Sequence, residues 1–142
     1  MAAARVTRAQ EAQAPLYAAD LFQEAQVSLT EARRALDAGN YRGAIQAATH
    51  ACLRADEARL LGAKEKRRLS REAERLLREA QALLDEARYL GAHRAHAGEV
   101  ESFTDRHRLL RQALEGEQIL DAHEGGTLLK SDLLALLKTL ER

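Results

Sequence analysis

The stretch from Ala32 to Ala58, ARRALDAGNYRGAIQAATHACLRADEA, decides the fold. Leu36 closes an apolar stripe, Gly39 suits the left-handed position that ends a helix, and Asn40 is a favoured cap for the next one. Tyr41 opens a second stripe, Tyr41, Ala44, Ala48, Ala51, Ala55 and Ala58, with Ile45 and Cys52 widening it. His50 and Thr49 fall at its edge. Upstream, Phe22, Ala25, Leu29, Ala32 and Leu36 alternate in steps of three and four, the seam of an amphipathic helix. Two such seams joined by a Gly-Asn turn make an antiparallel helical hairpin. Alanine on the inward face lets the axes approach to the low end of the usual ~8–10 Å.

Working outward, Leu69, Ala73, Leu76, Ala80, Leu83, Ala87 and Leu90 form a third seam after the polar interval Ala63–Arg68. A lone Gly62 costs a helix only ~1 kcal/mol, and no capping box introduces Leu69. One long helix from about Tyr41 to Leu90 is therefore expected, with a break near Gly62 as the alternative. Gly91 and Gly98 bracket a connection. Val100, Phe103, His107, Leu110 and Leu114 then form a fourth helix, with Ile119 and Leu120 as its continuation and Gly125-Gly126 as its end. Thr127 would cap a last helix carrying Leu128, Leu129, Leu133, Leu134, Leu136, Leu137 and Leu140 nearly all round its axis. Residues 1–14 read as a frayed lead-in. Arg33-Arg34-Ala35-Leu36-Asp37 resembles Arg111-Gln112-Ala113-Leu114-Glu115, and Tyr41 and Ala44 then correspond to Ile119 and Ala122, a faint repeat at an offset of 78 residues.

Composition agrees with a single all-α domain over residues 1–142, a bundle of four to five helices. Ala, Leu, Glu, Arg and Gln dominate, strand-forming residues are scarce, and Pro15 is the only proline. With 22 basic and 22 acidic residues the net charge is zero, which disfavours nucleic acid as a partner. Cys52 is the single cysteine, so no intrachain disulfide exists. No run of about 18 apolar residues is present to span a membrane. The N-terminal MAAARVTRAQ has no apolar signal core, so the chain as it stands is expected in the cytoplasm; a removed leader would move it to the bacterial periplasm or envelope.

Candidate chemistry is sparse. His93 and His96, with Glu99, have spacing for one metal, but two imidazoles in a Gly-bounded connection read first as solvated side chains, and neither metal nor cofactor is expected. His107 reads as an edge histidine bonded to a carboxylate, and Cys52 as a small core residue. Lys64, Lys66, Arg67, Arg68 and Arg71 form a basic cluster without interleaved aromatics, hence a solvated face. Tyr17, Phe22, Tyr41, Tyr89 and Phe103 lie on or beside the seams and read as packing.

The run Tyr17–Arg59, with Phe22, Ala25, Leu29, Ala32, Ala35, Gly39, Tyr41, Ala44, Ala48 and Ala51 in place and Ala14-Pro15 before it, resembles an uncharacterised Ala-rich helical domain family of bacterial envelope lipoproteins. The resemblance covers about residues 10–62, implies a helical hairpin, and brings no catalytic residues. The same stretch is similar to tetratricopeptide and microtubule-interacting hairpins, although no repeat of about 34 residues exists. It is also similar to helical domains associated with toxin nucleotidyltransferases, some of them RNases with Arg-x4-6-His, a spacing that Arg88 and His93 satisfy.

Two functions follow as expectations. The first is a non-enzymatic helical module that binds a protein or itself through the C-terminal leucines Leu129, Leu133, Leu136, Leu137 and Leu140. Either neighbouring helices clamp that segment, or part of it is exposed as an interface. The second is a small enzyme, an RNase or metal hydrolase, using Arg88, His93 and His96.

Overall fold

The computed structural model describes residues 1–141 and is all-α among them. Its helices are α1 (Ala2–Glu11), α2 (Ala14–Tyr17), α3 (Ala19–Asp37), α4 (Tyr41–Tyr89), α5 (Ala92–Ala95), α6 (Ala97–Glu115) and α7 (Ile119–Leu140). The long central helix is present in full and runs through Gly62 unbroken. A Cβ at Gly62 would lie 3.4 Å from Ala14 Cα, so the glycine serves close approach of α2 to α4. The N-terminal residues are also ordered helix, with Val6 and Ala9 buried against the rest.

The α3–α4 turn forms as its residues dictate. Gly39 takes φ 77°, Asn40 N–H donates to Ala35 O at 2.8 Å, and Gly39 N–H to Leu36 O at 3.1 Å, a Schellman closure. Asn40 Oδ1 then accepts from Gly43 N–H at 3.0 Å and caps α4.

Contacts group into two compact units, Met1–Arg67 and Arg68–Arg142, where the sequence reading expects one domain. The boundary between them falls inside α4, at the end of the polar Ala63–Arg68 interval. Its first part belongs to the first unit and its second part to the second.

The two units share one frame at an offset of 78 residues. Helix α5 sits 78 positions after α2, α6 after α3, and the start of α7 after the start of α4. Backbone geometry repeats with them: Gln13 (φ 65°) matches Gly91 (φ 89°), and Gly39 (φ 77°) matches Glu117 (φ 62°). Ala18 at φ −144°, ψ 54° matches His96 at φ −130°, ψ 41°. The α6–α7 turn even repeats the hydrogen bonds, Gln118 N–H to Ala113 O at 2.8 Å and Glu117 N–H to Leu114 O at 3.1 Å. The faint sequence repeat is thus a structural one.

What differs is the bulk of the cores. In the first unit Val6, Ala9, Ala14, Phe22, Ala25, Ala55 and Ala58 make the cluster. In the second, Leu84, Leu129 and Leu133 gather around Ala80, and Leu136 and Leu137 around Ala87, Ala92 and Val100. Ala51, Ala55 and Ala58 correspond to Leu129, Leu133 and Leu136.

The expected helix end at Gly125-Gly126 is not there. Helix α6 stops at Glu115, and α7 runs through both glycines. A Cβ at Gly126 would stand 3.4 Å from Leu76 Cβ, and one at Gly125 would clash with the Leu110 methyls. These glycines admit neighbouring side chains, and their ~1 kcal/mol helix cost each is offset by that packing.

Candidate interaction surface

The C-terminal leucines expected at an interface are core. Leu129 and Leu133 are fully buried, Leu136 and Leu137 nearly so, and Leu140 packs partly buried against the cluster of Ala87, Ala92 and Val100. The clamp, rather than the exposed patch, is what forms, because Leu84 and Ala80 from α4 and Phe103 and Leu110 from α6 close on α7. Only Leu120, Leu128 and Leu134 on that helix face outward.

The side chains of the enzymatic alternative take separate partners. Arg88 Nη2 donates to Thr104 Oγ1 at 2.8 Å on α6. His93 Nδ1 is 3.0 Å from the Arg88 carbonyl, where it closes the end of α4, and His96 Nδ1 is 3.2 Å from Glu99 Oε1. Among the described residues no three His, Cys, Asp or Glu side chains converge. His107 Nε2 donates to the Leu77 main-chain carbonyl at 2.9 Å, not to a carboxylate as expected. Cys52 is half-buried. In the basic cluster, Arg68 pairs with Glu72 at 3.0 Å within the same helix.

A polar groove in the first unit escaped the sequence reading. Ser28 Oγ lies 2.7 Å from His50 Nδ1, joining α3 to α4, and Asp20, Glu24, Val27 and Glu31 line the same hollow. Glu24 holds Arg54 Nε at 3.1 Å. Ser28 sits mid-helix, so the neighbouring backbone N–H groups are spent within α3. The pair acts as a cross-helix tie that satisfies a buried hydroxyl. Its signal was legible: a serine between Ala25 and Ala32 on an apolar stripe needs a polar partner opposite.

The larger exposed feature is apolar. Leu36 ends α3 exposed, and Tyr41, Ile45, Leu53 and Leu60 follow along one side of α4. Tyr41 is 67% and Ile45 68% accessible, whereas Ile119, the counterpart of Tyr41, is 5% accessible. Compared with known proteins, the chain matches no protein family, no curated protein and no solved structure. Its class is therefore read from the fold and surface alone: an all-α protein of two like helical units with an uncovered apolar stripe. Among the described residues no helix is long and apolar enough to cross a membrane.

Proposed function

We propose that this chain is a non-enzymatic interaction module that recognises a helix, or a second copy of itself, through the stripe Leu36, Tyr41, Ile45, Leu53 and Leu60. The observation that supports this reading is the exposure of Tyr41 and Ile45 at positions whose counterparts are covered in the second unit. Large apolar side chains gathered on one helix side cost solubility when bare, and such patches mark interfaces. Helix-in-groove recognition needs anchors spaced by three, four and seven along one face, which Tyr41, Ile45, Leu53 and Leu60 approximate. Zero net charge puts no long-range barrier between such a surface and a partner. A cytoplasmic setting suits the single half-buried thiol.

The test is an Ile45→Glu, Leu53→Glu variant. Both side chains are exposed, so the thermal midpoint should hold, while self-association in light scattering, or retention of a bound partner, should be lost. A variant that associates as the parent does would sink the reading.

A further inference from the structure

We propose that Arg68, Arg71, Arg75 and Arg78, on the second unit's part of α4, form a docking face for an acidic helix of a partner protein. This face is distinct from the apolar stripe of the first unit, so its test does not depend on that reading.

The four arginines follow one another in steps of three, four and three, and all four are exposed. At about 100° per residue they share the side of α4 roughly opposite the buried Leu69, Ala73, Leu76 and Ala80. Arg68 and Arg75 make one row, and Arg71 and Arg78 a second, about 60° further round the helix. The carboxylates beside them are already divided among other cations. Glu72 takes Arg68 at 3.0 Å and Arg75 at 3.9 Å while meeting His123 at 3.4 Å. Glu79 is shared between Arg75 at 3.9 Å and Lys130 at 2.6 Å. Arg78 acts on Glu79 through its charge without closing a pair, and Arg71 has no ion-pair partner among the described residues. Residues 64–78 hold seven basic and three acidic side chains in a chain of zero net charge, so the cationic excess is local.

The chemistry and spacing of the face specify the occupant. Guanidinium forks donate two parallel hydrogen bonds to a carboxylate. The rises between successive arginines, about 4.5, 6 and 4.5 Å, are those between residues at the same spacing on any helix. Glutamates or aspartates three and four apart on a second helix therefore meet the arginines one for one. The chain's own helices pair in this manner, since Glu79–Lys130 and Glu72–His123 join α4 to α7. No aromatic residue stands among residues 64–78 to stack a base, which disfavours single-stranded nucleic acid. The leucines there, Leu69, Leu76 and Leu77, are all buried, which leaves no apolar side chain to enter a bilayer. A duplex or a membrane is a wide polyanion, and a chain of zero net charge has no overall field to draw it in. A single helix needs only the local excess.

The probe is a fluorescein-labelled, alanine-rich helical peptide with glutamates at steps of three and four along one face, read by anisotropy. It should bind the chain saturably, and raising salt from about 50 to about 500 mM should weaken binding roughly tenfold. Arg71→Gln with Arg78→Gln should weaken it by roughly the same factor. Glutamine is about as good a helix former as arginine, so the helical circular dichroism of the variant should hold. Arg33→Gln with Arg34→Gln removes equal charge from the first unit and should leave binding unchanged. Ile45→Glu with Leu53→Glu should bind the peptide as the parent does, which keeps this face distinct from the stripe. No saturable binding at millimolar peptide overturns the proposal. Equal binding by a peptide of the same composition with its glutamates scattered round the helix overturns it too, as does an equal loss in the Arg33, Arg34 control. A short DNA duplex or phosphatidylserine vesicles that bind more tightly than the peptide, and are released by the Arg71, Arg78 variant, make this a phosphate surface, and the proposal falls.

Discussion

Two described residues other than glycine hold a positive φ, Gln13 at 65° and Glu117 at 62°. Each has a glycine, Gly91 or Gly39, at the matching place of the other unit, which identifies these as positions the frame requires to be left-handed. A side chain there costs ~1–2 kcal/mol. Gln13 bears a second cost, since its Oε1 is buried without a hydrogen-bond partner. Replacing Gln13 with Gly should raise stability by about 1 kcal/mol in urea unfolding. The opposite change, Gly39→Ala, meets no steric neighbour yet should lower it by a like amount through φ alone. Glu79 offers a titration test. Its hydrogen bond from Lys130, reinforced by the charges of Lys130, Arg75 and Arg78 against the opposing cost of burial, holds its carboxyl below the ordinary 4.5. A carboxyl depressed in the folded state contributes stability above its ordinary pKa and loses it as pH falls through the folded value. Lys130→Met should therefore flatten the acid limb of the thermal midpoint below the ordinary carboxylate range and leave the shape near neutrality unchanged.

At the scale of elements, the alanine seam of α4 sets how tightly the first unit closes. Ala51, Ala55 and Ala58 are fully buried. Leucine is native at the place matching Ala51, but there it faces a differently filled interior, with Phe103 and Leu110 standing for Ala25 and Ala32. Ala51→Leu in the first unit should overpack and cost ~1–3 kcal/mol by calorimetry or denaturant titration; an unchanged midpoint would contradict the close seam. The hairpin and the long helix were legible because Gly39 and Asn40 do locally what they do in any chain, and because no cap interrupts residues 41–89. The last connection was not. Glu117 occupies the left-handed turn that glycine would have flagged, while Gly125 and Gly126 look like a stop and act as openings for Leu110 and Leu76. A glycine's role there depends on what lies across from it, which is tertiary information. The leucines of α7 misled for the same reason: periodicity counts apolar faces, and only the fold tells which face has a neighbour.

For the whole molecule, one frame used twice with unequal filling implies unequal stability. Each leucine that replaces an alanine in a buried place adds roughly 2 kcal/mol of apolar burial. Hydrogen exchange should show α3 amides opening before those of α6, and calorimetry a transition broader than one two-state step. Equal protection of α3 and α6 would refute the ranking. The repeat also explains why the apolar stripe could not be read in advance. Tyr41 and Ile45 sit on a seam like any other, and their exposure is evident only beside Ile119 and His123, which the same frame covers. The alanines have one more effect. A methyl has no χ angle, so Ala51, Ala55 and Ala58 surrender no rotamer entropy on folding, whereas each leucine opposite surrenders ~0.5–1 kcal/mol. On the α4 side that seam offers no rotamers to exchange among, while Phe22 and Leu29 across from it keep theirs. Any slide of α4 along that smooth alanine face would carry Tyr41 and Ile45 with it.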